Sequence, residues 1–234
     1  MSSAAYLRAF GSYVPEHLVD NAALAARTGR TAEAIEKTTG ILARRYAPPD
    51  QSIADLGLAA AQDCLTRAGV EASAVGLILF GDGAGACLIS RDSGFARIAD
   101  LALYTDGNFA ESLTLAHGGT LAMRGLEVIM QASRKVPRAI ADLLAKNNVA
   151  ADDVQVFLMH QANRNLLAKI AKELKVPEDR FFTNIASFGN TSSASLLIAA
   201  AQWSDAASVT GPVVFAAFGA GLQWGALLAV PVAS

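Results

Sequence analysis

Cysteine is scarce in this chain: two residues, Cys64 and Cys87, in 234. That is too few for a disulfide-stapled scaffold and points to a reducing compartment. Charge is scarce as well. Charged residues make up 17%, with Lys+Arg 19 against Asp+Glu 21, a net charge of -2. The balance gives no strong pull toward nucleic acid or anionic lipid. No apolar run reaches the roughly 18 residues of a membrane span. The N-terminal stretch Met1 to Arg8 lacks the basic region and apolar core of a secretory signal. A soluble, cytoplasmic protein is expected, with no nucleic-acid and no membrane partner. Low-complexity tracts, long linkers and coiled-coil heptads are absent. What is plentiful is apolar residues, at 53%, which excludes a disordered chain.

The apolar residues alternate between helical and strand patterns. Tyr6, Phe10 and Tyr13 suit a strand. Asp20-Asn21 caps a short helix ending before Gly29, and Thr31 opens another ending near Gly40. Ile53, Leu56, Ala60 and Cys64 predict a helix over 53–68 closed by Gly69. Val75–Phe80 and Cys87–Ile89 read as strands around a glycine-rich stretch. Strands are expected at Ile98–Tyr104, Val154–Met159, Val213–Phe218 and Trp224–Val230, the last two forming a hairpin around Gly219-Ala220-Gly221. Helices are expected over Leu121–Asn147, Arg164–Leu174 and Thr191–Trp203. The class is α/β with layered sheets. Both halves run strand, helix, strand, a weak internal duplication.

Three segments could carry chemistry. His160-Gln161-Ala162-Asn163 follows a buried strand and opens a helix, a favoured active-site position in α/β folds, although the same residues suit a helix cap. Ser187 to Ser195 gathers small polar residues at a helix start. There Asn190 could offer its amide NH2 to a developing oxyanion. Phe218-Gly219-Ala220-Gly221 is a tight turn. A fourth, Gly81-Asp82-Gly83-Ala84-Gly85-Ala86, has the glycine spacing of a dinucleotide fingerprint. It runs into a strand rather than the helix that a pyrophosphate needs. No metal-ligand cluster stands out.

Taken in order, Gly81–Ala86, His160-Gln161-Ala162-Asn163, Gly189-Asn190-Thr191-Ser192 and Phe218–Gly221 with Trp224-Gly225 resemble β-ketoacyl-acyl-carrier-protein synthase III, a thiolase-fold condensing enzyme. Thr39-Gly40-Ile41 with Arg44-Arg45, and Met123-Arg124-Gly125, fit the same family. The resemblance implies a thiolase-like layered α/β/α/β/α fold of two similar halves, here 1–92, which is incomplete, and 93–234, which carries His160 and Asn190. It implies decarboxylative condensation of an acyl thioester with a malonyl thioester on acyl carrier protein, in fatty-acid or related polyketide biosynthesis. His160 and Asn190 match the catalytic histidine and asparagine. Asn163 and Arg164 fall where substrate or carrier protein docks. No cofactor is implied, because coenzyme A or carrier-protein thioesters are the substrates.

The chain departs from the family in its middle. Segments that flank the nucleophilic cysteine in the family are joined directly near Phe80-Gly81, so no nucleophile is expected. Cys64 on an apolar helix face and Cys87 in an apolar strand read as small hydrophobes. Ala34 stands where the family commonly has a tryptophan that stacks on coenzyme A, and Thr38 where it has an arginine. Arg164 precedes Asn165, whereas many relatives carry the arginine one residue later. The resemblance implies a homodimer, yet the missing segment is where its interface would largely lie. The alternative is a short paralogue that does not condense, acting as a binding partner or malonyl decarboxylase.

Overall fold

A computed structural model describes residues 4–71, 83–115 and 121–232. The strand expected at Val75–Phe80 and the Phe80-Gly81 junction lie outside the described residues. In chain order the elements are β1 (Tyr6–Tyr13), β2 (Leu18–Asp20), α1 (Asn21–Thr28), α2 (Ala32–Thr39), β3 (Ala43–Arg45) and α3 (Ile53–Ala68). Then come β4 (Ala84–Ser90), β5 (Ala96–Thr105), β6 (Leu113–Leu115), β7 (Leu121–Met123), α4 (Gly125–Lys146) and β8 (Val156–Met159). The chain ends with α5 (Arg164–Leu174), α6 (Ile185–Phe188), α7 (Ala194–Ala206), β9 (Val213–Gly219) and β10 (Gln223–Pro231).

Local chemistry sets the early helices. Asp20 and Thr31 accept backbone N–H groups at the starts of α1 and α2. Ser52 and Asp55 form a reciprocal capping box on α3, and Gly69 closes it in the left-handed conformation. The expected helix over Leu121–Asn147 is shorter than its apolar pattern. Leu121–Met123 instead pairs with Leu113–Leu115 as β7 on β6. A strand partner is available there, and Gly125 is a poor residue to carry a helix through. Likewise Thr191–Ser193 form a turn, so the next helix begins at Ala194.

Six strands make one sheet in the order β4-β1-β5-β10-β9-β8, antiparallel except for β8 beside β9. The Tyr6–Arg97 and Leu7–Ala96 pairs carry this sheet across residues 92 and 93. Side chains alternate strictly between its faces. Phe157, Met159, Val214 and Ala216 pack with Val136, Ile140 and Ile170 of α4 and α5. Val156, Leu158, Val213 and Phe215 pack with Ala200, Ala201 and Trp203 of α7, and with Phe10 of β1. Helix α7 therefore touches β1 and β4 at one end of the sheet and β8 and β9 at the other, and the sheet curls around it. Such a helix must be apolar on every side; Ala194, Ile198, Ala199, Ala200 and Trp203 are all buried. Helix α3 lies on the outer face of β1, where a Cβ on Gly11 would collide with the backbone at Cys64 and Ala60. No described helix is long and apolar enough to cross a membrane.

Candidate active site

The curled sheet delivers His160 to the end of β8, directly beneath the first turn of α7. Its backbone N–H donates to the Ala216 carbonyl of β9. Its Nδ1 lies 2.6 Å from Ser195 Oγ. Ser195 is 2% exposed, and its hydroxyl also sits 2.9 Å from the Gln161 N–H and 2.9 Å from the Ser192 carbonyl. Burial pushes the imidazole below the ordinary histidine value, with the Ser192 carbonyl acting against that shift. Nε2 makes no hydrogen bond among the described residues.

Asn190 reaches the same turn from the other side. Its Oδ1 accepts the Ser192 N–H at 2.9 Å. That leaves the exposed Nδ2 amine as its unengaged edge among the described residues. Ser192 adopts φ 53, a left-handed conformation that costs a non-glycine residue about 1 kcal/mol. Strain of that kind persists where the surroundings fix it, and here it turns the chain so that Asn190 and Ser195 flank one carbonyl. His160 and Asn190 are thus brought together through Ser192 and Ser195.

Gln161 is wholly buried and fully paired. Nε2 donates to the Met159 and Phe182 carbonyls, and Oε1 accepts the Asn184 N–H. It fastens the end of β8 to the segment leading into Asn190. The β2–β3 hairpin closes the other side: the Leu42 N–H donates to the Ala186 carbonyl, and Gly189 sits against the Arg44 stem. Gly83 begins β4 with its Cα hydrogen facing Thr191, whose side chain would be 3.2 Å from an added Cβ. The chain therefore re-emerges from 72–82 beside Asn190.

Asn163 and Arg164 lie one step further along. Asn163 Oδ1 accepts the N–H groups of Asn165 and Leu166, capping α5, and its Nδ2 donates to the Thr38 carbonyl of α2. Arg164 is exposed, packs its stem on Gly40, and makes no ion pair among the described residues. Ala34 and Thr38 lie one turn apart on the exposed face of α2.

Neither cysteine joins the site. Cys64 is buried in α3 and donates to the Ala9 carbonyl, and burial pushes its thiol up. Burial pushes Cys87 up to about 12. Reactive cysteines need the opposite shift. Residues 83–90, after the glycine-rich stretch, are extended, so no helix N-terminus faces a phosphate there. Sequence reasoning did not give Ser195 or Gln161 a role. Both stood inside the motifs it singled out, but their partners come from 34 residues away.

The geometry and fold have known counterparts. A sheet curled around a buried helix, with the histidine at the end of its parallel strand, defines a thiolase-like α/β protein. The 3-oxoacyl-[acyl-carrier-protein] synthase III structure from Aquifex aeolicus superposes with a TM-score of 0.87 at 23% identity, covering 97% of this chain and 99% of that one. A priming β-ketosynthase of the R1128 polyketide pathway superposes with a TM-score of 0.86 at 24% identity, covering 97% of this chain and 96% of that one. Residues 144–230 match the model of the 3-oxoacyl-[acyl-carrier-protein] synthase III C-terminal family. The β-ketoacyl-[acyl-carrier-protein] synthase III of Oleidesulfovibrio alaskensis is 27% identical, with 97% of this chain and 99% of the relative covered. That of Nitratidesulfovibrio vulgaris is 36% identical over 73% of this chain and 57% of the relative. The chain belongs to the β-ketoacyl-[acyl-carrier-protein] synthase III family, a family of acyltransferases. The first alignment runs over 328 positions against 234 residues, so at least 328 − 234 = 94 positions of that relative face a gap.

Proposed function

We propose that this chain carries the enolate-stabilising half of a decarboxylative condensing site, acting on malonyl thioesters of acyl carrier protein or coenzyme A. The observation that carries the reading is the pair of unengaged polar groups, His160 Nε2 and Asn190 Nδ2, held by a single turn at the start of α7. When a malonyl thioester loses carbon dioxide, the bonding electrons pass through Cα onto the thioester oxygen. An N–H from His160 and one from Asn190, fixed before the reaction, stabilise that oxygen without reorganisation. One such donor contributes about 3 kcal/mol, or two to three orders of magnitude in rate. Protonation at Cα then gives an acetyl thioester. In a complete condensing enzyme the enolate instead attacks an acyl group held on a cysteine.

That acyl-bearing cysteine belongs to a segment missing between Phe80 and Gly81. The raised thiols of Cys64 and Cys87 support this reading. So do the gapped alignment and the position of Gly83 beside Thr191. Arg164, exposed and without an ion pair among the described residues, suits docking of an acidic carrier protein, with Asn163 holding α5 and α2 in register beneath it. The bare surface at Ala34 and Thr38 offers no aromatic platform for an adenine.

The test supplies the purified chain with malonyl-CoA or malonyl-carrier protein and an acetyl primer. Acetyl thioester should form and 3-ketoacyl product should not. His160→Ala and Asn190→Ala should each slow decarboxylation by about 100- to 1,000-fold. Ketoacyl product from this chain, or decarboxylation indifferent to both substitutions, would overturn the proposal.

A further inference from the structure

We infer that the Ser195 hydroxyl donates to His160 Nδ1 and so fixes the proton of the neutral ring on Nε2, which makes Ser195 a positioning residue. The catalytic consequence rests on the function proposed above; the assignment of the proton does not. A neutral imidazole carries one N–H, and whatever its inner nitrogen does decides what the outer nitrogen can offer. If Nδ1 held the proton, Nε2 would turn a lone pair toward the incoming oxygen and repel it.

Three groups surround Ser195 Oγ, and the hydroxyl has one hydrogen. The Gln161 N–H, at 2.9 Å, can only donate to it. The choice is therefore between the Ser192 carbonyl at 2.9 Å and His160 Nδ1 at 2.6 Å. A separation of 2.6 Å falls within the range for a hydroxyl donor and below the usual range for a ring N–H donor. The Ser192 carbonyl also accepts the Ser195 backbone N–H at 3.2 Å, so it keeps a partner when the hydroxyl turns to the ring. Gln161 holds the arrangement from behind, since its own side chain is pinned by two carbonyls and the Asn184 N–H.

Long-range 1H–15N correlation spectra of the intact chain at pH 7.5 read the tautomer directly. His160 is assigned against His17 and His117 by its loss in His160→Gln. An unprotonated Nδ1 with a protonated Nε2 is expected. A protonated Nδ1 in the wild-type protein would overturn the inference, whether or not the chain decarboxylates malonyl thioesters. Ser195→Ala should shift the ring toward the Nδ1–H form and lower kcat for decarboxylation by about tenfold or more, with KM little changed. Ser195→Thr, which keeps the hydroxyl, should restore both the tautomer and the rate. A Ser195→Ala protein with an unchanged tautomer would also overturn it. A wild-type chain with the expected tautomer but no decarboxylation would leave the inference standing and remove the function.

Discussion

Burial lowers the pKa of His160 below that of the same residue in the unfolded chain, about 6.5. Between those two values the unfolded state binds more protons than the folded state. Stability is therefore present above about pH 6.5 and is lost as the pH falls toward the folded value. The urea midpoint should drop between pH 7.5 and 5.5, and His160→Gln should flatten part of that slope. Equal slopes in the two proteins would contradict the burial of the ring. At this scale the sequence showed its polar motifs clearly. Both His160 and Asn190 stand in the two segments where small polar residues interrupt an apolar background. Asn163 was legible as a helix cap as well as a binding residue, and its Oδ1 is engaged as a cap. Ser195 was not legible, because its meaning lies in a contact across 35 positions that no local spacing encodes.

Elements with strong end signals matched their patterns. The capping box and terminal glycine of α3, and the Asn163 cap of α5, gave both helices the bounds expected from sequence. The apolar run before Gly125 followed a helical period but formed β7, since tertiary pairing with β6 outweighed local preference. The packing of α3 on β1 depends on one missing side chain. A Cβ at Gly11 would meet backbone atoms of Cys64 and Ala60, which cannot rotate away. Gly11→Ala should destabilise the protein by about 1–3 kcal/mol in urea unfolding, and an unchanged midpoint would contradict that contact. The β1 pairing beyond this point, by which β4 and β5 flank it, was beyond any pattern in the sequence because antiparallel partners 80 or more residues apart leave no local trace.

Across the whole molecule, one sheet holds both halves together around α7. The alternation of apolar residues made an α/β class legible, and the order of the motifs made the family legible. The curl of the sheet was not, since it arises from α7 being gripped on two sides. Leu101 and Leu103 pair with Leu227 and Gly225 on the face that bears α7, yet they are 52% and 78% exposed. Side chains of that kind usually mark a surface that another element covers, which supports a missing central segment in the proposed account. The central claim is that the chain can stabilise an enolate but cannot hold an acyl group. Intact-mass spectrometry of the purified chain after incubation with acetyl-CoA tests it most directly. The account predicts a single unmodified species at 24.3 kDa; an acetyl adduct on Cys64, Cys87 or any other side chain, discharged by malonyl thioester, would contradict it.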